Sequence, residues 1–143
     1  MQNFDIRPAR PGDAAQLKIL NDEFNGGDSD VQHIARCLTS NPCEVVCVAQ
    51  CGDEPAGFIC AQITSSICYM SLSAEITEMY VREKFRRSGA ASRLMALAEE
   101  ICARRGAREF RVVTGQENSA AQALYRSMGY AAEDDIIFAK EID

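Results

Sequence analysis

Glu75-Ile76-Thr77-Glu78-Met79-Tyr80-Val81, followed four residues later by Arg86-Arg87-Ser88-Gly89-Ala90-Ala91, is the stretch whose reading decides the fold. The first part has strand composition. The second is a run of small residues opening an alanine-rich pattern, whose apolar positions Leu94, Leu97, Ala98 and Ile101 follow helical spacing and stop at Gly106. A helix start carries backbone N–H groups without intrahelical partners and the positive end of the dipole. Small side chains let an anion approach those groups closely. Arg82, Lys84, Arg86 and Arg87 crowd a local positive patch onto the same segment. The competing reading of this segment alone is an ordinary loop-to-helix junction with Ser88 as N-cap.

Outward from this junction, residues 109–114 read as a strand, so 74–114 is a strand–helix–strand unit that predicts a parallel crossover. Asn118 or Ser119 opens a further helix ending near Met128-Gly129, and short strands are expected around 130–132 and 136–142. Towards the N-terminus, a strand over 4–7 ends at Pro8. Asp13 can cap a helix with Ala14, Leu17, Leu20 and Phe24 on its apolar face, stopped by Gly26-Gly27. Ser29 is placed to cap a second helix bearing Val31, Ile34, Ala35 and Leu38. Strands at 45–50 and 56–64 flank the turn Gly52-Asp53-Glu54-Pro55 as a hairpin, and 65–73 reads as polar and turn-like. No linker, repeat or low-complexity segment interrupts the chain. The expectation is one α/β domain over 1–143 with a central mixed sheet.

Composition narrows the function classes. The 143 residues are 47% hydrophobic and 25% charged, ordinary for a globular protein able to bury a core. No apolar run reaches membrane-spanning length and residues 1–7 lack a signal-peptide layout, so the reading is cytoplasmic with no membrane partner. A net charge of -6 speaks against nucleic acid as partner and suits an amine-bearing one, although acidity also simply serves solubility. Seven cysteines, an odd number without a C-x-x-C pair, accompany a single histidine, His33. That speaks against a disulfide framework, and no metal site is expected. Reduced cysteines acting as small hydrophobes are the expectation.

Of three phosphate-binding schemes, a Walker loop lacks its G-K-[ST] ending and a dinucleotide fold lacks its glycines. The remaining pattern, Arg/Gln-x-x-Gly-x-Gly/Ala after a strand, is met by Arg86, Gly89 and Ala91. Ile6-Arg7-Pro8-Ala9-Arg10-Pro11-Gly12-Asp13-Ala14, then Glu78 to Ala91, then Asn118-Ser119-Ala120-Ala121-Gln122-Ala123-Leu124-Tyr125-Arg126-Ser127-Met128-Gly129-Tyr130 stand in that order. With these three segments the chain resembles the GNAT superfamily of N-acetyltransferases over nearly its whole length. Ala91 stands where glycine is common in the family and Tyr130 where phenylalanine is common. Both exchanges conserve size or aromatic character.

The resemblance implies a GNAT fold: a central mixed, mostly antiparallel sheet flanked by helices, with a splayed strand pair binding acetyl-CoA. It implies pantetheine paired against Met79, Tyr80 and Val81. The pyrophosphate would sit on the amides of Arg87, Ser88, Gly89, Ala90, Ala91 and Ser92, with Arg86 in the same motif and Asn118 near the thioester. Tyr125 would be the general acid toward the departing thiolate, and the Met79 N–H would polarise the thioester carbonyl. The implied activity is direct acetyl transfer to a primary amine, on an aminoglycoside, polyamine, amino acid or peptide, without an acetyl-enzyme. The alternative is a non-catalytic CoA-binding sensor or interaction module on the same fold.

A primary amine is mostly protonated at neutral pH, so a carboxylate must help remove a proton. Glu75 and Glu78 are the candidates. Three residues apart, they face opposite sides of a regular strand, and a bulge would break that parity. Acceptor choice is expected in the helical pair of 13–39 and in 65–73. Ile136-Ile137-Phe138 supplies an apolar strand that either joins a homodimer edge or enters the core.

Overall fold

The structure, a computed structural model, describes residues 2–143 and divides into two compact units, a larger one ending at Val113 and a smaller one spanning Thr114–Asp143. The larger unit is built on a five-stranded sheet in chain order: β1 (Asp5–Pro8), β2 (Glu44–Cys51), β3 (Glu54–Ser66), β4 (Tyr69–Val81) and β5 (Ala107–Val112). The first four strands pair antiparallel, and β5 runs parallel to β4 as the crossover requires. Helices α1 (Ala14–Asn25) and α2 (Val31–Ser40) connect β1 to β2, and α3 (Ala90–Arg104) connects β4 to β5. The sheet is mixed, mostly antiparallel and flanked by helices.

Strand alternation sorts the side chains onto two faces. Val46, Val48, Phe58 and Cys60 pack with Leu17, Leu20, Ile34 and Leu38 of α1 and α2. The alternate positions Val45, Cys47, Ala49, Ile59 and Ala61 are buried, as are Leu94, Met95, Ala98 and Cys102 of α3, which packs on β2 and β3. Each fully buried Leu- or Met-sized side chain contributes about 1.5–3 kcal/mol. All seven cysteines are free, and burial pushes the Cys47 thiol up to about 12, so it serves as a protonated apolar group.

Two helix starts differ from expectation because a nearer partner competes for the capping atom. The Asp13 side chain makes no cap bond to α1. Its carboxylate turns back to accept from Arg7 Nη1 (2.7 Å), Arg7 Nη2 (2.8 Å) and the Arg10 amide (2.7 Å). On α2 the cap is Asp30, which accepts from the His33 amide at 2.7 Å, while Ser29 Oγ accepts from Asn21 Nδ2.

The Arg7–Asp13 pair is a stability element with a pH signature. The Arg7 guanidinium holds the Asp13 carboxyl below the usual carboxylate range. A folded-state value below the unfolded one contributes stability above the unfolded value, about pH 4, and that contribution is lost as pH falls through the folded one. Asp13→Ala is expected to cost about 2 kcal/mol at pH 7, because it removes the two shortest bonds of the part-buried Arg7 and leaves it the longer contacts to Asp5 (3.4 Å) and Gln50 Oε1 (3.2 Å). Urea unfolding of both proteins at pH 7 and pH 3 checks this: the difference shrinks at the lower pH.

The stretch 65–73 is largely strand, since β4 begins at Tyr69 directly after a tight turn and Ser66 pairs with Tyr69. Its residues are mostly exposed, so the ladder forms through backbone bonds and leaves no apolar alternation to read.

In the smaller unit, α4 (Ser119–Ser127) is capped by Asn118, whose side chain accepts from the Ala121 amide at 3.1 Å. Gln122 Nε2 donates to the carbonyls of Gly115 (3.1 Å) and Gln116 (2.8 Å), closing the preceding loop. No strand forms over 130–143, where two were expected. Ile136-Ile137-Phe138 has strand composition, but a strand requires a ladder partner and none is paired to it among the described residues.

Candidate active site

Pairing between β4 and β5 runs from Leu72 opposite Ala107 to Ile76 opposite Val112 and stops there. β4 continues to Val81, so residues 77–81 have no strand partner on that side among the described residues. The ladder to β3 shows which backbone groups face this gap. The Arg82 amide donates to the Ala56 carbonyl at 2.8 Å, and Tyr80 lies opposite Phe58. Antiparallel alternation makes Tyr80 the residue that exchanges bonds with Phe58, so the N–H and C=O groups of Met79 and Val81 point away from β3. The Val81 carbonyl is met there by Arg86 Nε at 2.9 Å. The close approach of the two strands also explains Gly57: a Cβ there would lie 2.5 Å from the Tyr80 carbonyl oxygen.

The loop that follows turns its amides into the open. Arg87 (φ 59°) and Gly89 (φ 86°) are both left-handed, a conformation that costs a non-glycine residue about 1 kcal/mol. Such turns direct successive N–H groups to one concavity. Gly89, not Ser88, is the N-cap of α3, and it supplies no side-chain cap. Ser88 Oγ donates to the Phe85 carbonyl, and Ser92 Oγ to the Gly89 carbonyl at 3.0 Å. The Arg93 amide bonds to Gly89 O at 3.1 Å, so the amides of Ala90, Ala91 and Ser92 precede the intrahelical ladder. Phe85, buried against Phe4 with ring centroids 5.8 Å apart, fastens the loop to the core. An extended ligand with an anionic group could pair with Met79 and Val81 and end on the amides of 87–92.

A bulge fixes the carboxylates. Ile76 pairs with Ala61 and Glu78 with Cys60, leaving Thr77 as the extra residue, its Oγ1 donating to the Cys60 carbonyl at 3.4 Å. Glu75 lies opposite Gln62 and Glu78 opposite Cys60, two apart on β3, so both glutamates face the α1 and α2 side. The opposite-face expectation for a regular strand does not hold.

Other residues line that face: Glu44 and Gln62, which sequence reading did not single out, and Glu23, Phe24 and Asn25 from the first helix of the 13–39 pair. Glu44 opens β2 opposite Gln62, and Gln62 Nε2 donates to Glu44 Oε2 at 3.1 Å. Burial pushes the Glu44 carboxyl above its usual range, the Gln62 bond opposes this and the Glu78 charge adds to it. From α1, Glu23 accepts from Arg82 Nη2 (2.6 Å), Arg82 Nε (3.0 Å) and the Tyr80 hydroxyl (3.0 Å). Phe24 stacks on the Tyr80 ring with centroids 5.2 Å apart, and Asn25 Nδ2 donates to Glu78 Oε2 at 3.2 Å. No motif flags these residues, because their partners are distant in the chain: Gln62 is 18 positions from Glu44, and the partners of Glu23 and Asn25 on β4 are more than fifty away.

The remaining candidates lie in the smaller unit. The Asn118 side-chain oxygen is committed to capping α4. Tyr125 sits on the same helix, its ring centroid 6.2 Å from that of Tyr130, and burial pushes its phenol above the usual value.

Comparison with known proteins agrees with this geometry. A crystal-structure neighbour described as aminoglycoside N-acetyltransferase AAC(6')-Iy in complex with CoA is 21% identical, covers 99% of this chain and 96% of its own, and superposes with a TM-score of 0.85. The aminoglycoside acetyltransferase meta-AAC0020 from an uncultured soil metagenomic sample, in complex with sisomicin, is 19% identical, covers 98% and 97%, and has a TM-score of 0.84. A protein described as a transcriptional regulator from Bacillus halodurans C-125 is 21% identical over 97% and 100%, with a TM-score of 0.82. At these identities the neighbours establish the fold. The acetyltransferase (GNAT) family model matches residues 14–130, most of the chain. The protein therefore belongs to the GNAT family of acetyltransferases, acyltransferases that use acetyl-CoA.

Proposed function

We propose that the protein moves an acetyl group from acetyl-CoA directly onto a primary amine. The observation that carries this reading is the departure of β4 from β5 after Ile76, beside a helix start with uncapped amides. These residues fit coenzyme A: the outward N–H and C=O of Met79 and the outward N–H of Val81 suit an amide-bearing pantetheine arm, and the amides of Arg87, Ser88, Gly89, Ala90, Ala91 and Ser92 suit a pyrophosphate. When bound, acetyl-CoA supplies an activated acyl group on a thiolate leaving group. The Met79 N–H would donate to the carbonyl oxygen where negative charge develops. Glu78 would accept a proton from the incoming ammonium, with Glu75 as the other candidate base. Tyr125 would give its phenolic proton to the departing sulfur, and Asn118 is the further cofactor contact in that unit.

The carboxylates Glu44, Glu75 and Glu78 on one face support a cationic acceptor, of which aminoglycosides and polyamines are examples. The fold is shared with a protein described as a transcriptional regulator, so a CoA-binding module without turnover is the second reading. A thiol-release assay with acetyl-CoA over aminoglycosides, polyamines, amino acids and short peptides separates the two. Turnover with at least one amine is expected; cofactor binding without thiol release from any would overturn the enzyme reading.

A further inference from the structure

We infer that Asn25, the last residue of α1, is a positioning residue for Glu78. The inference rests on the reading of Glu78 as the base. Asn25 Nδ2 has two hydrogens and both are placed: one on Asn21 Oδ1 at 2.8 Å, the other on Glu78 Oε2 at 3.2 Å. The Glu78 carboxylate only accepts, so Asn25 turns Nδ2 to it, and the same nitrogen requires an oxygen from Asn21, whose own Nδ2 donates to Ser29 Oγ at 3.1 Å. Asn21 therefore presents its oxygen to Asn25, and Asn25 must present nitrogen. In the chain Ser29–Asn21–Asn25–Glu78, Asn25 donates both ways, to Asn21 and to the carboxylate, and Asn21 donates on to Ser29.

The donor is held on a rigid element. Gly26 closes α1 in the left-handed conformation (φ 87°), its amide bonded to the Asp22 carbonyl at 3.1 Å. Glu23 and Phe24, the two residues before Asn25, are clamped to Tyr80 on the strand that carries Glu78 and to Arg82 directly after that strand. Asn25 thus occupies Oε2 and leaves Oε1 to take the ammonium proton. A neutral amide suits this role: lysine or arginine there would form an ion pair with Glu78 and compete with the cationic acceptor. Helix α1, on the acceptor side of the sheet, so sets the base as well as walling the site.

The test is a double-mutant cycle read in kcat, using an amine turned over in the thiol-release panel. Asn25→Ala is expected to lower kcat about tenfold through misplacement of the base, with KM for acetyl-CoA and Tm little changed. The near-isosteric Asn25→Asp, which removes the donor and adds like charge, loses at least as much. In the Glu78→Gln background, Asn25→Ala has no further effect. An equal loss in both backgrounds, or wild-type kcat in both Asn25 variants, overturns the inference. Nitrogen-15 NMR gives a readout that needs no acceptor: the Asn25 side-chain amide protons shift on Glu78→Gln. Unmoved resonances overturn the inference even where the enzyme reading holds. Shifted resonances support the hydrogen bond even where no amine is acetylated.

Discussion

Glu78→Gln lowers kcat for acetyl transfer by about a hundredfold, the scale of a lost general base, with KM for acetyl-CoA unchanged. Glutamine keeps the size of the side chain but cannot take the ammonium proton. Glu78 adjoins Met79, whose backbone groups turn outward beyond the splay. Glu75 lies within the paired stretch, between Gln62 and Arg111, so Glu75→Gln has a smaller effect. The deficit of Glu78→Gln also depends on pH in a defined direction. As pH rises toward about 10, the usual range of an alkylamine, the acceptor deprotonates in solution and the need for the base falls, so the gap to wild type narrows. Steady-state rates of the three proteins between pH 7 and pH 10 check this. A constant gap, or a larger loss at Glu75, would reassign the base.

Tyr125→Phe is expected to lower kcat by a comparable factor, about a hundredfold, for a different reason. Burial keeps the Tyr125 phenol above its usual value, so it carries its proton throughout the neutral range and can give it to the departing thiolate. Phenylalanine preserves the ring beside Tyr130 and Tm stays close to wild type, which separates proton donation from packing. The discriminating measurement varies the leaving group. Acetyl thioesters of more acidic thiols need less protonation, so the loss in Tyr125→Phe shrinks with them. Equal losses for acidic and ordinary thiols would remove Tyr125 from the proton path.

Much of the fold was legible in residue order. Strand composition in Val45-Val46-Cys47-Val48 and Phe110-Arg111-Val112, helical spacing from Leu94 to Ile101 and glycine stops at Gly26 and Gly106 are local properties, and each element formed where they point. The elements that differed depend on partners distant in the chain. Residues 69–73 are strand because β3 offers a ladder, whereas 136–142 lack one despite their isoleucines. Asp13 and Ser29 gave their expected capping roles to ion pairing and to Asn21. The candidate site divides in the same way. The small-residue loop and the Asn118–Tyr125 segment announce themselves because anion cradles and helix caps depend on short spacings. Asn25, Glu44 and Gln62 have no such signature.

What the sequence by itself determined is the anion cradle proposed for the donor. A strand followed by Arg86-Arg87-Ser88-Gly89-Ala90-Ala91 dictates unpaired amides at a helix start, since backbone geometry there depends on neighbours within a few residues. Tertiary structure alone decided the face proposed for the acceptor. The bulge at Thr77, set by the register of β4 against β3, turned Glu75 and Glu78 to one face and placed them with Glu44 and beneath Asn25. Register is a property of paired strands, and one inserted residue reverses the side on which every later side chain stands.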